Sequence, residues 1–207
     1  IQVFSPDGMW LNTIGVTNPS YLAFDGTGRY LYAVNELKTF EGRPTGTVSA
    51  FAVDPATGGL EFLNRQLTHG TDPCHVLVDK PRHHVFVANF MSGSVCVLPV
   101  RDDGRLGEAS DFIQHLGSGI DPVRQQGPHA HSVTLDASNR FAFVPDLGLD
   151  RLMIYRFDSR RGMLDAKPRS VAAAFPRPET NLCVSARSET AMEPIVATTS
   201  PVPPGPD

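Results

Sequence analysis

Two histidines, His129 and His131, stand one residue apart in the run Gly127-Pro128-His129-Ala130-His131. In an extended segment, residues i and i+2 share a face, so the run presents two imidazoles side by side. Imidazole titrates near neutral pH, and such a pair suits proton transfer, anion recognition or metal binding. A metal needs more than two ligands. No His, Asp or Glu cluster of suitable spacing lies nearby, so no metal is expected. Arg124, in the loop that leads to Gly127, has the planar fork that grips an anionic group through two hydrogen bonds. Cys74 and His75 are adjacent, but neighbours on a strand point to opposite faces, so the adjacency does not make a nucleophile–base pair. His83, His84 and His115 read as surface residues of a turn and a loop.

A repeat positions these residues. Asn18-Pro19-Ser20-Tyr21-Leu22-Ala23-Phe24-Asp25 is matched by Asp72-Pro73-Cys74-His75-Val76-Leu77-Val78-Asp79, and then by the segment from Gly127 to Asp136. Each copy is followed by a turn and a second apolar run, which ends at Asn35, Asn89 and Asp146 in turn. The copies lie 54 and 57 residues apart. A third motif interleaves: Val48–Asp54, Val95–Arg101 and Leu152–Asp158. β-branched and aromatic runs bounded by Gly, Pro, Asp and Asn read as strands, and no long helical pattern separates them. Four strands per unit at a period near 50 describe β-propeller blades. The fold expected is all-β, with about three four-stranded antiparallel blades. Asp25, Asp79 and Asp136 are expected to serve their turns. Asn35, Asn89 and Asp146 are expected to bond loop backbone, and Asp146 could also orient a histidine through its ring N–H. His75 takes the blade position nearest to that of the histidine pair.

Bulk properties narrow the function. The 207 residues are 41% hydrophobic and 19% charged, with a net charge of −4 and no basic block, so no nucleic-acid partner is expected. No apolar run approaches the roughly 20 residues that span a bilayer. Three cysteines, Cys74, Cys96 and Cys183, lack the spacing of a disulfide framework; reduced thiols in a cytoplasmic protein are the simplest account. The propeller pattern runs over residues 1–167. Residues 168–207 hold eight of the 18 prolines and are expected to be a disordered tail.

The repeat together with Gly127-Pro128-His129-Ala130-His131-Ser132 and Asp146-Leu147-Gly148-Leu149-Asp150-Arg151 resembles the lactonase family with a seven-bladed β-propeller. Asn18-Pro19-Ser20-Tyr21, Leu31-Tyr32-Ala33-Val34-Asn35-Glu36 and Asn89-Phe90 with Gly93-Ser94-Val95 carry the same resemblance. It implies hydrolysis of a sugar lactone, phosphorylated or not, as in 6-phosphogluconolactonases, with no required cofactor. His129 or His131 would be the base. Arg124, Glu36, His75 and Asp146 would line or brace the substrate site. A muconate-type lactone cyclase and a non-catalytic binding scaffold are the alternatives. Seven blades need about 380 residues at this period, so the chain is expected to be an incomplete ring. Its uncovered blade edges would then favour self-association.

Overall fold

The computed structural model describes residues 17–172, except Arg82 and Ala166, together with the strand backbone of Gln2–Phe4 and Trp10–Thr13. These last two, β1 and β2, pair antiparallel. The next four strands form one antiparallel meander: β3 (Pro19–Phe24), β4 (Tyr30–Asn35), β5 (Thr47–Val53) and β6 (Leu60–Leu67). A second meander repeats it with β7 (Pro73–Val78), β8 (His84–Asn89), β9 (Ser94–Pro99) and β10 (Asp111–Gln114). The third comprises β11 (Thr134–Leu135), β12 (Phe141–Asp146), β13 (Arg151–Asp158) and β14 (Met163–Leu164). Its outer edge is completed by β15 (Arg169–Ala172), which pairs with the start of β13 while β14 pairs with its end. Strand pairing therefore continues to Ala172, past the expected end of the propeller at residue 167. The rest of the proline-rich segment lies outside the described residues.

The turn between the first two strands of each meander is built on an aspartate. Asp25 Oδ1 accepts the Tyr30 N–H, Asp79 Oδ1 accepts the His84 N–H, and Asp136 Oδ1 accepts the Phe141 N–H. A short carboxylate can satisfy turn donors locally, which is why the residue type recurs. At Asp136 the Ser138 hydroxyl and backbone N–H groups outweigh burial and hold the carboxyl down to about 2. His84 departs from its expected surface position. It is 6% exposed, and its Nδ1 lies 3.1 Å from Asp79 Oδ2. The same carboxylate that closes the turn gives the imidazole a buried partner.

Alternation along the strands buries both faces of the middle sheet. Val85, Val87, Cys96 and Leu98 pack with Tyr32, Val34, Val48 and Ala50 of the first sheet. Their neighbours Phe86, Ala88, Val95 and Val97 pack with Ala142, Val144, Tyr155 and Phe157 of the third. This explains why β8 and β9 read as continuous apolar runs rather than as alternating ones. The Phe86 and Phe157 rings meet edge to face at 4.8 Å. Phe86→Ala would leave a cavity at this junction, with an expected cost of about 3–5 kcal/mol in denaturant unfolding.

Candidate functional site

The first strands of successive sheets run side by side and build the site. Ser20 Oγ donates to the Pro73 carbonyl, and the Tyr21 ring lies 4.4 Å from that of His75. Cys74 Sγ donates to the His131 carbonyl at 3.2 Å. Burial, and then the negative charge of Glu36, push the Cys74 thiol up to about 12. It is therefore a neutral donor and no nucleophile, in keeping with the reading of Cys74-His75 as a coincidental pair.

The histidine run precedes β11 and is held by ladder bonds to the end of β12. Leu147 N–H donates to the His129 carbonyl, His131 N–H donates to the Pro145 carbonyl, and Ala130 bridges to Asp146. Ala130 is fully buried against the second sheet, so His129 and His131 emerge on the other side. They meet around Phe90. The His129 ring stacks on it at 4.7 Å and 17°, and the His131 ring meets it at 5.7 Å and 88°. His129 Nδ1 lies 3.1 Å from the Phe90 carbonyl, an oxygen that can only accept. In the neutral ring the proton therefore sits on Nδ1, and Nε2 carries the lone pair. Two close approaches make room for the run. A Cβ on Gly148 would overlap the Gly127 carbonyl, and one on Gly93, at φ +61°, would run into the Pro128 backbone.

His75 joins this group. Burial, and then the nearby His131, lower its pKa to about 4. Glu36 is half-buried at the end of β4, near enough to Cys74 and Asp72 to raise both. For Asp72 burial is the larger cause, and Lys38 works against the rise. Arg124 is exposed in the loop before Gly127, where its backbone N–H donates to Asp121 Oδ1. The contacts of the two imidazoles described above do not include Arg124. Among the described residues, no group of three or more His, Cys, Asp or Glu side chains is placed to hold a metal ion.

Beneath the run lies a network of which the sequence indicates one part, Asp146 orienting a histidine through its ring N–H, but not that the histidine is His115 or that Tyr155 joins it. His115, expected at the surface, is 3% exposed. Its Nδ1 sits 2.5 Å from Asp146 Oδ2, and its Nε2 sits 2.7 Å from the Tyr155 hydroxyl. The carboxylate fixes the tautomer: Nδ1–H donates to Asp146, and Nε2 accepts from Tyr155. Asp146 Oδ1 accepts the His129 N–H at 2.8 Å and the Leu149 N–H at 3.0 Å. Burial alone would raise the Asp146 pKa, but the His115 hydrogen bond and the two backbone N–H groups outweigh it and hold it below the ordinary value. Burial also pushes the Tyr155 hydroxyl well above its ordinary range, with the Asp146 charge adding to the rise. At the equivalent positions, Asn35 bonds Thr17, Thr47 and Ser49, and Asn89 bonds Thr68 and Ser94. Among the three described four-strand meanders, the one that carries the histidine run alone places an aspartate there.

The family model for the seven-bladed β-propeller lactonases matches residues 9–176. The chain belongs to this family. It is 37% identical over 139 residues to the 6-phosphogluconolactonase of Bacillus subtilis, which covers 67% of this chain and 38% of that one. The Formosa agariphila 6-phosphogluconolactonase is 31% identical over 135 residues, 65% of this chain and 37% of that one. Among solved structures, the periplasmic gluconolactonase of Pseudomonas aeruginosa superposes with a TM-score of 0.68 at 31% identity, over 80% of this chain and 47% of that one. The chain thus spans about two fifths of the curated lactonases it matches. The three sheets correspond to blades of the propeller.

Two outcomes follow from these environments. Removing the carboxylate leaves the buried His115 Nδ1–H and the His129 and Leu149 N–H groups without their acceptor, so Asp146→Ala is expected to cost about 3–5 kcal/mol in urea unfolding. Asp146→Asn, which still accepts the His129 N–H, should cost clearly less. For His75, the unfolded ring takes up a proton below its ordinary 6.5, while the folded ring resists until about 4. Stability is then intact above 6.5 and falls as pH drops through this window. The loss is at most about 3 kcal/mol, reduced by the ring's exposed edge. Urea unfolding of wild type and His75→Gln at the two ends of the window should show the acid-side loss shrinking in the variant.

Proposed function

We propose that this chain hydrolyses a sugar lactone of the 6-phosphogluconolactone kind, at the seam where its second and third blades meet. The observation that carries the reading is the His129 ring, whose Nδ1 faces the Phe90 carbonyl and whose Nε2 is thereby left as a base. Membership of the lactonase family and the names of the relatives support the substrate class.

Water attacks the lactone carbonyl carbon while His129 Nε2 takes its proton. The tetrahedral intermediate collapses by breaking the ring C–O bond, and the imidazolium returns the proton to the departing alkoxide. The net change is addition of one water to give the open hydroxy acid. His131, edge-on to Phe90 and exposed, can donate to an anionic substituent of the substrate, and Arg124 can add a bidentate grip. Glu36 can accept from sugar hydroxyls. Asp146 braces the run from beneath. No cofactor enters this chemistry. The reading places the protein in the cytoplasm, where thiols such as Cys74 and Cys96 stay reduced.

The test is hydrolysis of 6-phosphogluconolactone by this chain, with the spontaneous rate subtracted. His129→Ala should lower kcat by about 10²–10⁴-fold, the usual contribution of a positioned base. His131→Ala should act mainly on KM. An absent enzymatic rate, or full rates in both variants, would overturn the assignment.

A further inference from the structure

His75 and His129, on the two sides of the seam, are held in opposite tautomers, each by the backbone of the opposing blade. Val133 N–H, from the third blade, points at His75 Nδ1 of the second blade, at 3.4 Å. A backbone N–H can only donate, so Nδ1 accepts and the proton of the neutral ring sits on Nε2. His129 shows the reverse: its Nδ1, on the third blade, faces the Phe90 carbonyl of the second. Neither lock involves a side-chain partner that could flip.

We infer that His75 is a further catalytic residue, whose Nε2–H donates to the carbonyl oxygen of the lactone while His129 Nε2 activates water. The inference rests on the lactonase reading above and assigns the electrophilic half of that site. An oxyanion needs a preorganised donor, and a neutral imidazole serves as one. The Tyr21 ring, 4.4 Å away and tilted by 37°, and the Val133 lock together fix the His75 plane. His131 is the titratable group that acts electrostatically on His75, and it works in the same direction as burial, toward the neutral ring. A ring with its pKa near 4 is a poor base at neutral pH, so His75 does not compete with His129 for the proton of the attacking water. The base and the donor thus come from adjacent blades, and the reaction requires the seam between them.

The experiment has two arms on the full chain. In the first, ¹⁵N-histidine NMR, assigned by loss of each signal in a His→Gln variant, reads the tautomers in the absence of substrate. His75 should be protonated at Nε2 from about pH 5 to about pH 8, and His129 at Nδ1 when neutral. In the second, lactone hydrolysis is compared in His75→Phe and His75→Gln, with folding checked by thermal melting. His75→Phe should lower kcat by about 10²–10³-fold with little change in KM, and His75→Gln, which keeps an N–H donor, should recover at least about tenfold of that loss. A His75 protonated at Nδ1, or full kcat in His75→Phe, overturns this role and leaves the lactonase reading intact. Should His75→Phe fail to fold, a His75→Gln variant that falls as far as His75→Ala overturns it instead. No rate in the wild type overturns the lactonase reading, and this role with it.

Discussion

The ionised Asp146 carboxylate, fully buried, is the constraint on which the site depends. Burying a charge is costly unless every lone pair finds a donor. Here His115 comes from the segment after β10 of the second blade, and the His129 and Leu149 N–H groups come from the third. Tyr155, from the core of the third blade, closes the far side of the imidazole. One carboxylate therefore ties the outer edge of one blade, the core of the next and the backbone that presents a histidine. Asn35 and Asn89, at the equivalent blade positions, instead donate amide N–H groups to the Thr17 and Thr68 carbonyls. Among these three positions, the costlier residue stands where the histidine run has to be held.

Fold was largely legible because the repeat lies along the chain. Asp25, Asp79 and Asp136 recur at the period of the turns they close, and the apolar runs of β4, β8 and β12 recur with them. The site was less legible, because its decisive contacts join different blades. His115 sits 31 residues from Asp146 and 40 from Tyr155, and no local pattern marks their meeting. His84 was misplaced for a related reason. Its adjacency to His83 suggested an exposed turn, whereas Asp79 and Phe157 enclose it. Phe90 went unassigned although it was part of a recognisable motif, since only packing shows that both imidazoles gather on its ring. The third blade's outer strand, split into β14 and β15, hid within a segment whose prolines suggested the end of regular structure.

Burial explains why chemistry collects at the inner ends of the blades. Both faces of the middle sheet are occupied by its neighbours, so polar groups can meet a substrate only at the rims and along the first strands. There Tyr21, His75, His131, Phe90 and His129 follow one another from blade to blade. Backbone groups of one blade set the proton positions of the next, which couples the chemistry to blade packing rather than to any single strand. Cys74 shows the same coupling in a neutral form, its thiol spent on the His131 carbonyl.

The central claim is that the inner seam of the second and third blades receives the lactone with its carbonyl toward the paired histidines. Its most direct test is a crystal structure of this chain with a non-hydrolysable lactam analogue of the sugar lactone. The account predicts the lactam carbonyl oxygen within about 3 Å of His75 Nε2, and a water between the carbonyl carbon and His129 Nε2. An analogue bound away from Phe90, or oriented with its carbonyl turned from both rings, would contradict it.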